Sequence, residues 1–199
     1  MSLSENDSAD SQITDAALVQ KTLAEPEAFG ALIERYEHKI QRYIRRLGVK
    51  NIDDQADVLQ EIFIKVYRNL NSFDDQFLFS SWLYRIAHNE AISWYRRQKV
   101  RPEGYLVVDS DEVLQFVRTS ELSPELAFDH NIDAELLNKA LLKLDEKYRT
   151  IITLRYFEHL DYEEISDILK IPVGSVGTLL HRGKKQLFTV LKPDFKRTR

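Results

Sequence analysis

The chain contains no cysteine. That excludes disulfides, thiolate metal sites and cysteine nucleophiles, and it fits a reducing compartment. Glycine and proline are scarce, six and five in 199 residues, which argues against a turn-rich β fold and for helices. No apolar run approaches the ~20 residues that a membrane span needs, so direct membrane insertion is not expected. The opening Met1-Ser2-Leu3-Ser4-Glu5-Asn6-Asp7-Ser8 is polar and acidic, unlike a signal peptide. Gly-rich phosphate loops and G-x-S-x-G elbows are also missing. The histidines His38, His88, His130, His159 and His181 are scattered without metal-binding spacing. Acid pairs such as Asp53-Asp54, Asp74-Asp75 and Glu163-Glu164 read as helix starts or loops. The expectation is a chain with no metal, no cofactor, no small-molecule substrate and no catalysis of its own.

What the sequence does contain is unevenly placed charge. Lys and Arg number 28 against 32 Asp and Glu, for a net charge of −4. Residues 1–13 carry −3, residues 14–100 carry +1, residues 101–135 carry −7 and residues 136–199 carry +5. An acidic average argues against nucleic acid, but a basic last third behind an acidic connector reopens that question. The 43% apolar content is enough for the cores of one or two domains.

The pattern predicts an all-α fold of two small helical domains joined by a flexible acidic linker. Residues 1–13 read as a disordered tail, 14–100 as the first domain, 101–131 as the linker, 132–191 as the second domain and 192–199 as a basic tail. Asp15 is the expected N-cap of a helix to about Leu23. A second helix starts at Glu25-Pro26-Glu27. Its stripe of Phe29, Leu32, Ile33, Tyr36, Ile40, Tyr43, Ile44 and Leu47 marks one buried face, and Gly48 ends it. Asp53 or Asp54 opens a third helix, with Val58, Leu59, Ile62, Phe63, Val66, Tyr67 and Leu70 inward. A loop spans Asn71 to Ser81, and Trp82 to Gln98 form a fourth helix. From Ile132 onward four shorter helices are expected.

Two stretches point to nucleic acid. Asp161 to Leu169 reads as a short amphipathic helix, Lys170-Ile171-Pro172 breaks it, and Val173 onward begins a second helix, as in a helix-turn-helix. Ser166 is small enough for the crossing, and Ile165, Ile168, Ile171, Val176 and Leu180 would set its angle. The second helix could enter the major groove, with Arg182, Lys184 and Lys185 reaching phosphates. A solvated basic helix in an ordinary bundle is the plainer alternative. Upstream, Arg85, His88, Asn89, Arg96, Arg97 and Lys99 interleave with Trp82, Tyr84, Trp94 and Tyr95, behind Phe73, Phe77 and Phe79. Rings beside cations suit single-stranded nucleic acid. For Trp82, Phe73 and Phe79 core packing is at least as good an explanation, whereas the Asn89 amide suits a base edge. The helix at 57–68 taken alone reads as an amphipathic helix with a solvated outer face.

Asp57-Val58-Leu59-Gln60-Glu61-Ile62-Phe63-Ile64-Lys65-Val66-Tyr67-Arg68, then Phe73 and Trp82-Leu83-Tyr84-Arg85-Ile86-Ala87-His88-Asn89, resembles region 2 of the bacterial sigma-70 superfamily, extracytoplasmic-function type. Leu144 through Leu187, with Tyr162-Glu163-Glu164-Ile165, Pro172-Val173-Gly174-Ser175-Val176 and His181-Arg182-Gly183, resembles that family's region 4. The resemblance implies a promoter-specificity subunit of RNA polymerase. It places Asp57, Gln60, Glu61, Lys65 and Arg68 on the surface docking the polymerase β′ subunit, with β as a further contact of the holoenzyme. It places Phe73, Phe77, Trp82, Tyr84, Arg85, Asn89, Arg96 and Arg97 at the minus-10 element, and Ser175, Thr178, His181, Arg182 and Lys185 at the minus-35 duplex. The acidic 101–131 segment resembles the linker that threads the polymerase. An anti-sigma partner and a cytoplasmic, bacterial location are implied as well.

The chain departs from the family pattern at Asp74-Asp75-Gln76 and Phe77 in the specificity loop. It also departs at Gly177 and Leu179, where basic residues are usual. From the residues alone the competing reading is a stand-alone helix-turn-helix transcriptional regulator, and a helical adaptor without DNA contact is a third. The aromatic–basic strip at 82–99 discriminates against the regulator, and the +5 last third against the adaptor.

Overall fold

A computed structural model describes residues 13–100 and 134–195; the expected acidic linker and all but the last residue of the expected N-terminal tail lie outside those residues, whereas 192–195, half of the expected basic tail, continue the last helix. Eight α-helices and no strand occur among the described residues. In chain order they are α1 (Asp15–Ala24), α2 (Phe29–Leu47), α3 (Ile52–Asn69), α4 (Phe79–Val100), α5 (Ala134–Leu142), α6 (Glu146–Ile152), α7 (Tyr162–Leu169) and α8 (Val173–Phe195). The fold is all-α, as the hydrophobic spacing predicts. No helix among the described residues is long and apolar enough to cross a membrane.

Local signals hold at several ends and move by a residue or more at others. Gly48 caps α2 in a left-handed conformation, φ 117°, which a residue with a Cβ would resist. The cap of α1 is Thr14 rather than Asp15. The Asp15 carboxylate is used instead in tertiary contact, accepting from Arg35 at 2.7 Å and from the Tyr36 hydroxyl. Asn51, not Asp53 or Asp54, caps α3, its side chain accepting from the Asp53 N–H at 2.7 Å. The two acids occupy the first turn, where the exposed N–H groups favour negative charge. α4 starts at Phe79, three residues before the expected Trp82, because Phe79 packs into an aromatic group with Phe73 and Trp82 at centroid distances of 5.5 to 5.8 Å.

The first four helices bury one stripe each: Leu32, Ile40, Tyr43 and Ile44 of α2, Val58, Ile62 and Val66 of α3, and Leu83, Ala87 and Ala91 of α4. In the second group Leu141, Ile151, Ile152, Leu154, Ile165, Val176 and Leu180 form the core. Gly183 of α8 lies where a Cβ would stand 3.0 Å from the Ile152 Cδ1, so Ile152 fills the notch that glycine leaves and α6 can press against α8. Between α6 and α7 the chain makes a π-helical turn, Thr153–Phe157.

His88 shows how strongly α4 is enclosed. Its Nδ1 is 3.4 Å from the Tyr43 hydroxyl, and burial, with Arg96 nearby, pushes its pKa down to about 4. An unfolded histidine titrates near ~6.5, so between ~6.5 and about 4 the unfolded chain binds the extra proton. The neutral His88 therefore contributes fully above that window and the contribution is lost as pH falls through it. Thermal unfolding across this range should show stability falling toward acid by up to ~3 kcal/mol, and His88→Gln should flatten that limb.

Candidate nucleic-acid and polymerase interfaces

The first surface lies along α4 and the loop before it. Phe77 and Leu78 are 61% and 60% exposed, a large apolar surface to leave facing solvent. Asn89, Arg96 and Arg97 are exposed on α4, and Arg85, Asn89 and Arg96 fall on one helical line by their spacing. The aromatic residues of the same segment are placed differently. Phe73 is half-buried, and Trp82 and Tyr84 are 8% and 3% exposed. Tyr84 stacks edge-on to Tyr43 at 5.2 Å and donates its hydroxyl to Glu158 at 2.5 Å. Arg85 is half-buried and faces Asp167 at 3.4 Å. Leu78 was not among the expected site residues. Its signal was an apolar pair, Phe77-Leu78, directly after Asp74-Asp75-Gln76 in a segment read as loop.

The second surface is the exposed face of α8. The helix-turn-helix geometry rests on local chemistry. Asp161 and Glu164 form a reciprocal capping box on α7, each bond at 2.8 Å. Lys170 turns the chain at φ 54°, and Ser166 donates its hydroxyl to the Ile171 carbonyl at 2.6 Å. Ser166 thus holds the turn as well as being small. Thr178, His181, Arg182 and Lys185 are exposed and Ser175 is half-buried. Leu179 packs against the core, and Gly177 lies beside Tyr162, whose ring carbon is 3.5 Å from where a Cβ would be.

The third surface is a groove of about 560 Å³ between α2 and α3, with Phe29, Ile33, Leu59 and Phe63 in its walls and Gln60 and Arg68 among its lining residues. Phe29 and Ile33, expected in the core, are only half-buried because they wall this groove. Asp57 and Gln60 are exposed and Glu61 is half-buried. Lys65 bridges two helices, 2.5 Å from Glu90 of α4 and 3.9 Å from Glu61 of α3. Spacing along α3 put Gln60 and Arg68 on its outer side. It could not show that α2 supplies an apolar wall opposite.

The two groups of helices meet across α4 and α7 and across α2 and α5–α6. Glu158 is central to this contact. Its side chain is 6% exposed, accepts from Tyr84, and sits 3.3 Å from Arg46. Burial raises its pKa, while Tyr84 and Arg46 pull it back. The Arg46 guanidinium also lies 4.2 Å from the centre of the Phe157 ring. Ser81 donates to Glu164 at 3.0 Å.

Comparison with known proteins identifies the family. The family profile described as sigma-70 region 2 matches residues 32–101, and that described as sigma-70, region 4 matches residues 134–187. The chain is 40% identical over 167 residues to the ECF RNA polymerase sigma factor SigW of Bacillus subtilis (strain 168), covering 81% of this chain and 87% of that one. It is 34% identical over 191 residues to the ECF RNA polymerase sigma-E factor of Escherichia coli (strain K12), covering 94% and 98%. Among solved structures, CnrH in complex with the cytosolic domain of CnrY has a similar fold, TM-score 0.66 at 22% identity over 90% of this chain and 98% of that one. The sigma factor RpoE with the anti-sigma factor NepR, from Bartonella quintana, is also similar, TM-score 0.62 at 24% identity over 82% and 96%. With α3–α4 inside the region 2 match, the helix-turn-helix inside the region 4 match, and both sequence relatives covered over most of their length, the chain belongs to the extracytoplasmic-function sigma factors of the sigma-70 family, the promoter-specificity subunits of bacterial RNA polymerase.

Proposed function

We propose that the three surfaces divide the work of initiation. Phe77, Asn89, Arg96 and Arg97, with Leu78, take the unpaired minus-10 strand, and Phe73, Trp82, Tyr84 and Arg85 shape and support that end of α4. Ser175, Thr178, His181, Arg182 and Lys185 read the minus-35 duplex. Asp57, Gln60, Glu61, Lys65 and Arg68, with the apolar groove beside them, dock the β′ subunit. In this reading residues 14–100 and 132–191 are the two working units, and 101–131 link them through the polymerase. The chain acts in the bacterial cytoplasm, without catalysis of its own, and is held in reserve by an anti-sigma protein, as CnrH and RpoE are bound by partners in their solved structures.

The observation that carries this reading is the exposed amide of Asn89 with the exposed guanidinium groups of Arg96 and Arg97 on α4, in a helix that follows a solvent-facing Phe77-Leu78 pair. Opening a duplex and flipping a base costs a few kcal/mol. Stacking returns ~1–3 kcal/mol per base, and cations follow the backbone. The test mixes the purified chain with bacterial core polymerase on a sizing column and assays the complex on genomic DNA. Co-elution with discrete run-off transcripts is expected. Duplex binding by the free chain without co-elution would instead favour the stand-alone regulator.

The missing cations on α8 give a second expected result. A Cβ at Gly177 would meet the Tyr162 ring only at ordinary contact distance, so the backbone there accepts a side chain and Gly177→Arg is the variant to make. It should strengthen minus-35 duplex binding, and log K against log salt should steepen by up to ~0.9 for one added phosphate contact.

A further inference from the structure

Helix α4 carries the exposed Asn89 amide, but its apolar residues do little to fix which way that amide points. The first turns are anchored by Phe79, Trp82, Leu83 and Tyr84, all buried. Beyond them, as far as Gln98, the buried residues are Ala87, Glu90 and Ala91, while Ile86 and Trp94 pack only partly against the core. An alanine is short, so it holds a helix against its neighbour without choosing one angle of roll. The Nδ1 of His88 is 3.4 Å from the Tyr43 hydroxyl, long for a hydrogen bond. Glu90 is the directional contact in this half of the helix. Its side chain is 7% exposed and lies 2.5 Å from the Lys65 ammonium of α3. A carboxylate taken out of water needs such a partner, and a hydrogen bond between charged groups is both strong and directional. Lys65 has a second acid in reach, Glu61 one turn back at 3.9 Å. Both members of that pair are about half exposed, where ion pairs contribute little. The ammonium is therefore committed to α4, although the spacing along α3 places it on the docking face.

We infer that Lys65 and Glu90 are positioning residues for strand capture: their ion pair sets the roll of the second half of α4 and so aims Asn89 at the strand. The inference rests on the strand-binding role proposed for α4. Glu90 and Asn89 are neighbours, about 100° apart around the helix. With the pair intact, the acid is held against α3 and the amide faces solvent. With the pair broken, Glu90 is better hydrated if α4 rolls, and Asn89 turns with it. Side-chain ends lie about 5 Å from a helix axis, so a roll of roughly 15° moves them by ~1 Å. A misplacement of that size can cost on the order of a hundredfold in rate. Helix α3 then serves two surfaces, docking through its outer residues and aiming α4 through Lys65.

The test uses holoenzyme assembled from the full chain and core polymerase. Open complexes are read by permanganate at the minus-10 thymines and counted per holoenzyme recovered from a sizing column. Glu90→Ala removes the acid, suits a helix and leaves the half-exposed Lys65 free to hydrate. Core association should be unchanged, and open complexes should fall at least about tenfold. Added to Asn89→Ala, the same substitution should cost less than about twofold more, because a pair that works by aiming Asn89 then has nothing to aim. Open complexes at the wild-type level in Glu90→Ala overturn the inference. So does an equal loss with and without Asn89→Ala, which is the result of a merely structural weakening of α4. If Asn89→Ala by itself leaves open complexes unchanged, the strand-binding reading of α4 is overturned, and the inference with it. Should Glu90→Ala lose helix by circular dichroism, Glu90→Gln takes its place in the same cycle. It keeps the shape and trades the ion pair for a neutral hydrogen bond, so a loss of about threefold is expected, again absent beside Asn89→Ala.

Discussion

Asn89→Ala should lower open-complex formation by roughly 5- to 150-fold while leaving association with core polymerase unchanged. The amide is exposed on α4, between Arg85 and Arg96 on the same helical line, and among the described residues it is no part of the core. A side-chain amide that meets a base edge through two hydrogen bonds is worth ~1–3 kcal/mol of discrimination, and each 1.36 kcal/mol is tenfold in rate. The helix itself should be unharmed, since alanine is the better helix former. The measurement is permanganate reactivity of the minus-10 thymines with wild-type and variant holoenzyme, alongside sizing-column retention on core. An equal loss in both assays would show that Asn89 supports docking rather than the strand.

Ile152→Ala is expected to cost about 2–5 kcal/mol of stability, the largest effect of a single change here. Ile152 is fully buried and its Cδ1 occupies the notch left by Gly183 on α8. Deleting three carbons leaves a cavity that a glycine cannot fill from the other side. The second group of helices is small, and small domains have little stability to spare. Thermal unfolding should show a lower transition, and duplex binding should fall with it because α6 braces the helix that carries Arg182 and Lys185. The outcome that contradicts this is duplex binding retained with an unchanged transition.

The same two residues show where a one-dimensional reading stops. The stripes on α2, α3 and α7 were visible as three- and four-residue spacings, because a helix that buries one face must repeat apolar residues at its own period. Gly48 at the end of α2 and the break at Lys170-Ile171-Pro172 were visible for similarly local reasons. The caps at Thr14 and Asn51 were not singled out, since competing acids stood one to three residues away and only tertiary contact with Arg35 and Tyr36 drew Asp15 elsewhere. Gly183 read only as part of a motif, and its role as a notch needs Ile152 opposite it.

Sequence alone determined the helical class, the place of the helix-turn-helix, the basic and aromatic strip along α4, and the family, because these rest on periodicity, composition and ordered motifs. Tertiary structure decided which of those side chains face outward. Phe77, Asn89, Arg96 and Arg97 are exposed, whereas Trp82 and Tyr84 turn inward and Arg85 is half-covered. It also decided that Phe29 and Ile33 wall a groove rather than fill a core, and that Glu158, Glu164 and Asp167 meet Tyr84, Ser81 and Arg85. Those pairs lie 74 to 83 residues apart in sequence. No local rule relates residues at such a distance, because only the packing of one helix on another brings them together.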